Sequence, residues 1–77
     1  MSARIEINPK IMLGKPVIKG TRITVEILLR KLAQNLSAQD LLKDYPQLTL
    51  DDIKAAVDYA ASSLQNDEIY PLAQNRS

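Results

Sequence analysis

The sequence predicts a small, mainly helical domain, with three helices behind a short N-terminal β arm or hairpin. Three observations predict it. From residue 24 to residue 64, apolar residues recur with a helical period and candidate caps punctuate them. Before residue 24, Pro9, Gly14, Pro16 and Gly20 interrupt any helical period, and branched residues recur in short runs. The length, 77 residues, allows one small domain and not two.

The arm, residues 1–23, reads as extended. Ile5 and Ile7 alternate with Arg4, Glu6 and Asn8, which is the period of a strand. Asn8-Pro9 stops that strand, and Gly14-Lys15-Pro16 forms a second turn. Val17-Ile18 is a second short β segment, and Gly20 supplies a backbone angle that other residues adopt at a cost. A strand at Ile5–Ile7 has an open edge unless it is paired. Pairing with the same strand, or with Val17–Ile18, of a second copy covers that edge. Ile5, Ile7, Val17 and Ile18 are therefore the expected dimer contacts.

The helical core spans residues 24–64. Thr24 is the candidate cap of a first helix whose Val25, Leu28, Leu29, Leu32 and Ala33 form one apolar stripe. Arg30 and Lys31 suit its C-terminal dipole, and Asn35 suits a left-handed cap beyond it. Ser37 caps a second helix, Ala38 to Tyr45, with Asp40 in its first turn and Leu41, Leu42 and Tyr45 inward. Pro46 ends that helix by pushing the preceding residue out of the helical region. Thr49 opens a third helix, with Asp51 and Asp52 at its positive end and Asp52 at the capping-box position, where glutamate would reach back better. Ile53, Val57, Ala60, Ala61 and Leu64 are expected to make its apolar face. Residues 65–77 read as a polar tail holding one apolar island, Ile69-Tyr70-Pro71-Leu72, which docks either on its own fold or on a partner.

Composition narrows the functions. The chain has no cysteine, histidine, tryptophan or phenylalanine, so its core is aliphatic apart from Tyr45, Tyr59 and Tyr70. Without cysteine there is no disulfide framework and no thiolate zinc site. Without histidine the usual general base and the commonest metal ligand are missing. Asp51, Asp52 and Asp58 are the remaining candidates for chemistry. Neighbouring carboxylates on a helix point in different directions, and the capping role explains the first two better. No catalytic residue, metal, cofactor or small-molecule substrate is expected. No run approaches the roughly 18–20 apolar residues of a membrane span, and Met1 to Pro9 contains no apolar run of the kind a signal peptide needs. The cytoplasm is the expected location. A chain of this size buries only about 60–65% of its unfolded surface, which makes a homodimer the expected remedy.

The net charge of +1 hides an uneven distribution. Residues 1–31 hold seven cations (Arg4, Lys10, Lys15, Lys19, Arg22, Arg30 and Lys31) against Glu6 and Glu26, a balance of +5. Residues 32–77 hold Lys43, Lys54 and Arg76 against Asp40, Asp44, Asp51, Asp52, Asp58, Asp67 and Glu68, a balance of −4. Such asymmetry marks either a nucleic-acid surface on the basic part or simply solvated faces. The second and third helices, joined by Pro46-Gln47-Leu48, have the outline of a helix-turn-helix. The start of a recognition helix normally meets base edges, yet here it carries Asp51 and Asp52, which phosphates repel. The basic arm, through Lys10, Lys15, Lys19 and Arg22, is therefore the better candidate DNA surface. Arg22 has an equal alternative as an ion-pair former with Asp44 or Asp58.

Asn8-Pro9 and the run Gly14-Lys15-Pro16-Val17-Ile18-Lys19-Gly20-Thr21-Arg22-Ile23 carry a family resemblance. So do Val25-Glu26-Ile27-Leu28, Leu41-Leu42 before Tyr45-Pro46, Leu48-Thr49 before Asp51-Asp52-Ile53, and Ala55-Ala56 before Tyr59-Ala60. Over residues 4–61 the chain resembles the family called domain of unknown function 433. Asn35 departs from the glycine more usual there and keeps the left-handed cap. The resemblance implies a homeodomain-like helix-turn-helix core behind the arm. It also implies a VapB-type antitoxin that binds its own operator as a dimer and blocks a PIN-like ribonuclease toxin. Such nucleases hold metal with clustered carboxylates. Ile69, Tyr70 and Leu72 would then plug the toxin's entrance and Arg76 would supply a cation, although Arg76 reads more readily as part of an unstructured terminus. The alternative to a DNA-binding antitoxin is a pure protein-interaction module.

Overall fold

The computed structural model describes residues 3–66. Strand β1 (Ile5–Glu6) pairs antiparallel with β2 (Val17–Ile18), setting Ile5 opposite Ile18 and Glu6 opposite Val17. Three helices follow: α1 (Val25–Ala33), α2 (Ala38–Asp44) and α3 (Leu50–Asn66). The fold is the mainly helical domain with an N-terminal hairpin that the sequence predicts. Among the described residues no helix is long and apolar enough to cross a membrane.

The helix boundaries follow from local chemistry. The Thr24 hydroxyl accepts from the Ile27 amide at 3.1 Å and caps α1. Asn35, at φ 71°, sits in the left-handed region just past α1, and its amide donates to the Leu32 carbonyl at 3.0 Å. Ser37 and Asp40 form a reciprocal capping box at the start of α2. Helix α2 ends at Asp44, one residue short of the expected Tyr45, which is its C-cap because Pro46 drives it to φ −127° and ψ 76°. Thr49 and Asp52 form the same box for α3. Each donates its amide to the other's side chain, at 2.9 and 3.2 Å, so the shorter aspartate does reach back. Helix α3 runs two residues past its expected end at Leu64.

The core is a single aliphatic cluster to which every element contributes. Ile5 and Ile18 come from the hairpin, Val25 and Leu28 from α1, Leu41 from α2, and Ile53 and Ala56 from α3. Leu28 and Leu41 are fully buried. Tyr45 and Tyr59 pack on the rim of this cluster.

Two expectations change. Ile5, Val17 and Ile18 are 5%, 0% and 2% exposed, and β1 finds its partner strand within its own chain. Their side chains serve the chain's own core and are not surface contacts. Ile7, beyond the strand and 47% exposed, is the one of the four expected dimer residues on the surface. The inward face of α3 also differs. Ile53 and Ala56 are buried, with Ala55 and Tyr59 against the core, whereas Val57, Ala61 and Leu64 are exposed. The reason is rotational: buried Asp52 is held by the cap and by the arm, and this turns Ile53 and Ala56 inward.

The cap at Asn35 yields a direct test. Replacing Asn35 with glycine should leave stability within about 0.5 kcal/mol, whereas Asn35→Ala should cost about 1 kcal/mol in urea unfolding, because alanine tolerates a positive φ poorly.

Candidate nucleic-acid interface

Local geometry builds the basic arm around two tight turns. The first links β2 to α1. The Ile18 carbonyl accepts from the Thr21 amide at 3.0 Å and from the Thr21 hydroxyl at 2.7 Å. That hydroxyl accepts in turn from the Ile23 amide at 2.9 Å. Gly20 at φ 81° occupies the third position of the turn, the left-handed position of a type II turn. Thr21 thus fastens the turn from inside, and Lys19 and Arg22 emerge on either side of Gly20. Both are exposed, and among the described residues neither side chain makes an ion pair or hydrogen bond.

These cations border a cleft of about 760 Å³ lined by Glu6, Ile11, Lys19, Gly20, Thr21, Arg22 and Gln47. Gln47 belongs to the turn between α2 and α3. The fold therefore brings the basic turn beside the centre of the helix-turn-helix outline, which sequence spacing did not reveal. Glu6, half-buried, is the one carboxylate in the lining.

The second turn lies within the hairpin connection. Met12, Leu13 and Gly14 take φ values of 49°, 59° and 84°, three left-handed residues in succession. For Met12 and Leu13 this conformation costs about 1–2 kcal/mol each. Backbone bonds from Ile11 to Asn8, Gly14 to Ile11 and Lys15 to Met12, at 2.8, 3.0 and 3.1 Å, hold the turn in place. Leu13 is 93% exposed at its tip. Lys10 is exposed just before it, and its amide donates to the Asn8 side chain at 2.8 Å. Nothing in the sequence marks Met12 and Leu13, since only Gly14 signals a turn there.

Lys15 does not stand free. It donates to Glu26 at 3.1 Å, and Glu26 also accepts from Arg30 one turn along α1. Hydrogen bonds from Lys15 first, and then from Arg30, hold the Glu26 carboxyl below its ordinary range.

Arg22 makes neither of the ion pairs that the sequence offered it, with Asp44 or Asp58. Arg4 is instead the cation that ties the arm to α3. Its Nη1 donates to Asp52 Oδ1 at 3.0 Å, and its Nη2 lies 3.7 Å from Asp51. Burial works against ionisation of Asp52, but the Thr49 amide, the Arg4 guanidinium and the Thr49 hydroxyl outweigh it and hold the carboxyl below its ordinary value. Sequence inspection missed Arg4 because its partner lies 48 positions away. The expected partner-binding residues Ile69, Tyr70, Leu72 and Arg76 lie outside the described residues.

Residues 5–60 match the family described as "Protein of unknown function (DUF433)". The chain belongs to that family. The matched DUF433 stretch runs from β1 into α3, so the hairpin is as much a part of it as the helices. A similar solved structure is the crystal structure of a DUF433 member protein from Anabaena variabilis ATCC 29413. The two share 33% sequence identity with a TM-score of 0.77 over 82% of this chain. This chain spans 62% of the length of that one. No curated protein matches the chain.

The acidic contacts set a pH dependence with a definite sign. Asp52, Asp40 and Glu26 all ionise more easily when folded than when unfolded. Their stabilisation is therefore present above about pH 4 and is lost as pH falls through their folded values. The thermal midpoint is expected to drop steadily below pH 4. In Asp52→Asn that drop should be shallower, and the midpoint at pH 7 lower than in the parent chain.

Proposed function

We propose that this DUF433 chain is a cytoplasmic, non-enzymatic antitoxin of a type II toxin–antitoxin pair. It binds its own operator DNA as a dimer and neutralises a PIN-like ribonuclease toxin. The observation that carries the DNA half is the turn at Lys19–Arg22. Two exposed cations without partners among the described residues flank a fastened glycine turn, beside Gln47 of the helix-turn-helix. Such a turn lets the backbone approach a phosphate, while Lys19 and Arg22 supply the charge that dominates affinity. Lys10 adds a further cation. Lys15 adds one only by sharing itself with Glu26. Leu13, exposed between Lys10 and Lys15 in sequence, is an apolar tip of the kind that groove-binding proteins insert at base steps.

The toxin half rests on the family resemblance and on the chemistry of the tail, where Ile69, Tyr70 and Leu72 are the apolar plug and Arg76 the cation. A second reading, a protein-interaction module that does not bind DNA, is favoured by the acidic start of α3. Asp51 and Asp52 are part-neutralised by Arg4, but Asp58 remains on the exposed face and repels phosphate.

Titrating the full chain with a duplex carrying the promoter of its own gene separates the two. Affinity should fall steeply between about 50 and 200 mM salt, and Lys19→Ala and Arg22→Ala should each lower the slope of log affinity against log salt by about one. If neither variant changes affinity or slope, the arm is not the DNA surface. If no salt-dependent binding is seen at all, the interaction-module reading stands.

A further inference from the structure

The outer face of α3 carries apolar side chains that the fold leaves uncovered. Leu50 is 47% exposed, Val57 44% and Leu64 71%. Ala61 is exposed between the last two. Leu50, Val57 and Leu64 are spaced seven residues apart, a step that drifts only about 20° around a helix, so they form one stripe. Asp52, Ile53 and Ala56 face the core on another side of the same helix. The exposed charges Lys54 and Asp58 both lie on one flank of the stripe.

We infer that this stripe docks a second copy of the chain, α3 against α3, antiparallel about a two-fold axis at Val57. The spacing is self-complementary. Leu50 and Leu64 stand equally far on either side of Val57, so the two-fold operation sets Leu50 of one copy on Leu64 of the other, twice, and Val57 on itself. Charge selects the same arrangement. A two-fold axis of this kind brings equivalent flanks together. Lys54 precedes Val57 and Asp58 follows it, so Lys54 of one copy comes within about 3 Å along the axis of Asp58 of the other, and reciprocally. A parallel two-fold pairing would instead put the two Lys54–Asp58 flanks on opposite sides of the seam, where the charges do not meet.

An apolar groove of about 500 Å³ between α1 and α3 continues the stripe. It is lined by Leu29, Ala33, Ala60 and Leu64 among others, and it receives the apolar end of the opposing α3. The contact requires neither the toxin nor the operator. It supplies the dimer of the proposed function from a face other than the β arm, and it leaves the Lys19–Arg22 turn uncovered.

The absence of cysteine makes the test specific, because any introduced thiol is the only one in the chain. Sedimentation equilibrium of the full chain at tens of micromolar should give the mass of two chains. Under mild oxidation Val57→Cys should form a disulfide-linked dimer, whereas Leu13→Cys, exposed on the arm, should not. Lys54→Glu should raise the dimer dissociation constant about tenfold with an unchanged circular dichroism spectrum, and adding Asp58→Lys should restore the parent value. A single-chain mass for the parent overturns the inference. So does cross-linking of Leu13→Cys as fast as Val57→Cys, or a double charge swap that fails to restore association.

Discussion

The packing of the β arm against α3 is the contact on which the rest of this structure depends. The shorter elements of the fold do not persist alone. Strands of two residues cannot hold a sheet together, and helices of nine and seven residues are too short to form in water without tertiary support. Ile5 and Ile18 enter the same cluster as Leu28, Leu41, Ile53 and Ala56, so the hairpin supplies a wall of the core. The Lys19 amide donates to the Arg4 carbonyl at 2.7 Å and extends the ladder by one step. Arg4 then reaches across to Asp52, which is already committed to the cap of α3. Removing either partner would leave the other charge or the cap short of its hydrogen bonds.

That contact also sorts the charges. The acidic start of α3, which alone would repel a phosphate backbone, is engaged from within by the first cation of the arm. The arm's remaining cations face outward, except Lys15, which Glu26 engages. The consequence is a three-helix domain whose third helix begins with carboxylates that the arm already engages. The exposed side of that helix is apolar with Lys54 and Asp58 on one flank, while the glycine turn beside Gln47 carries the exposed cations Lys19 and Arg22. The apolar face of α3 and the basic turn are separate surfaces of the domain.

Much of the fold is legible in the sequence because much of it is decided locally. Thr24, Ser37 and Thr49 act within three residues of themselves, Pro46 acts on the residue just before it, and Asn35 acts on its own backbone. Reading the residues in order is enough to place these boundaries. Gly20 is legible for the same reason. The face of α3 is not. Leu50, Ile53, Ala56, Val57, Ala60, Ala61 and Leu64 cover more of the helix than the core can use, so periodicity alone cannot choose among them. The choice comes from Arg4 on Asp52, a long-range contact with no local signature. The left-handed Met12 and Leu13 are hidden for the opposite reason: apolar residues next to a glycine suggest burial, and here the backbone turns them out into solvent.

The central claim is that the arm's glycine turn, and not the third helix, is the face that meets DNA. Amide chemical shifts of the full chain, followed as the promoter duplex is added, test it most directly. The account predicts shifts concentrated at Lys10, Lys19, Gly20, Thr21 and Arg22 and spreading to Gln47, with Lys54, Val57 and Asp58 unmoved. Shifts concentrated along Leu50–Asp58, with the turn unaffected, would contradict it.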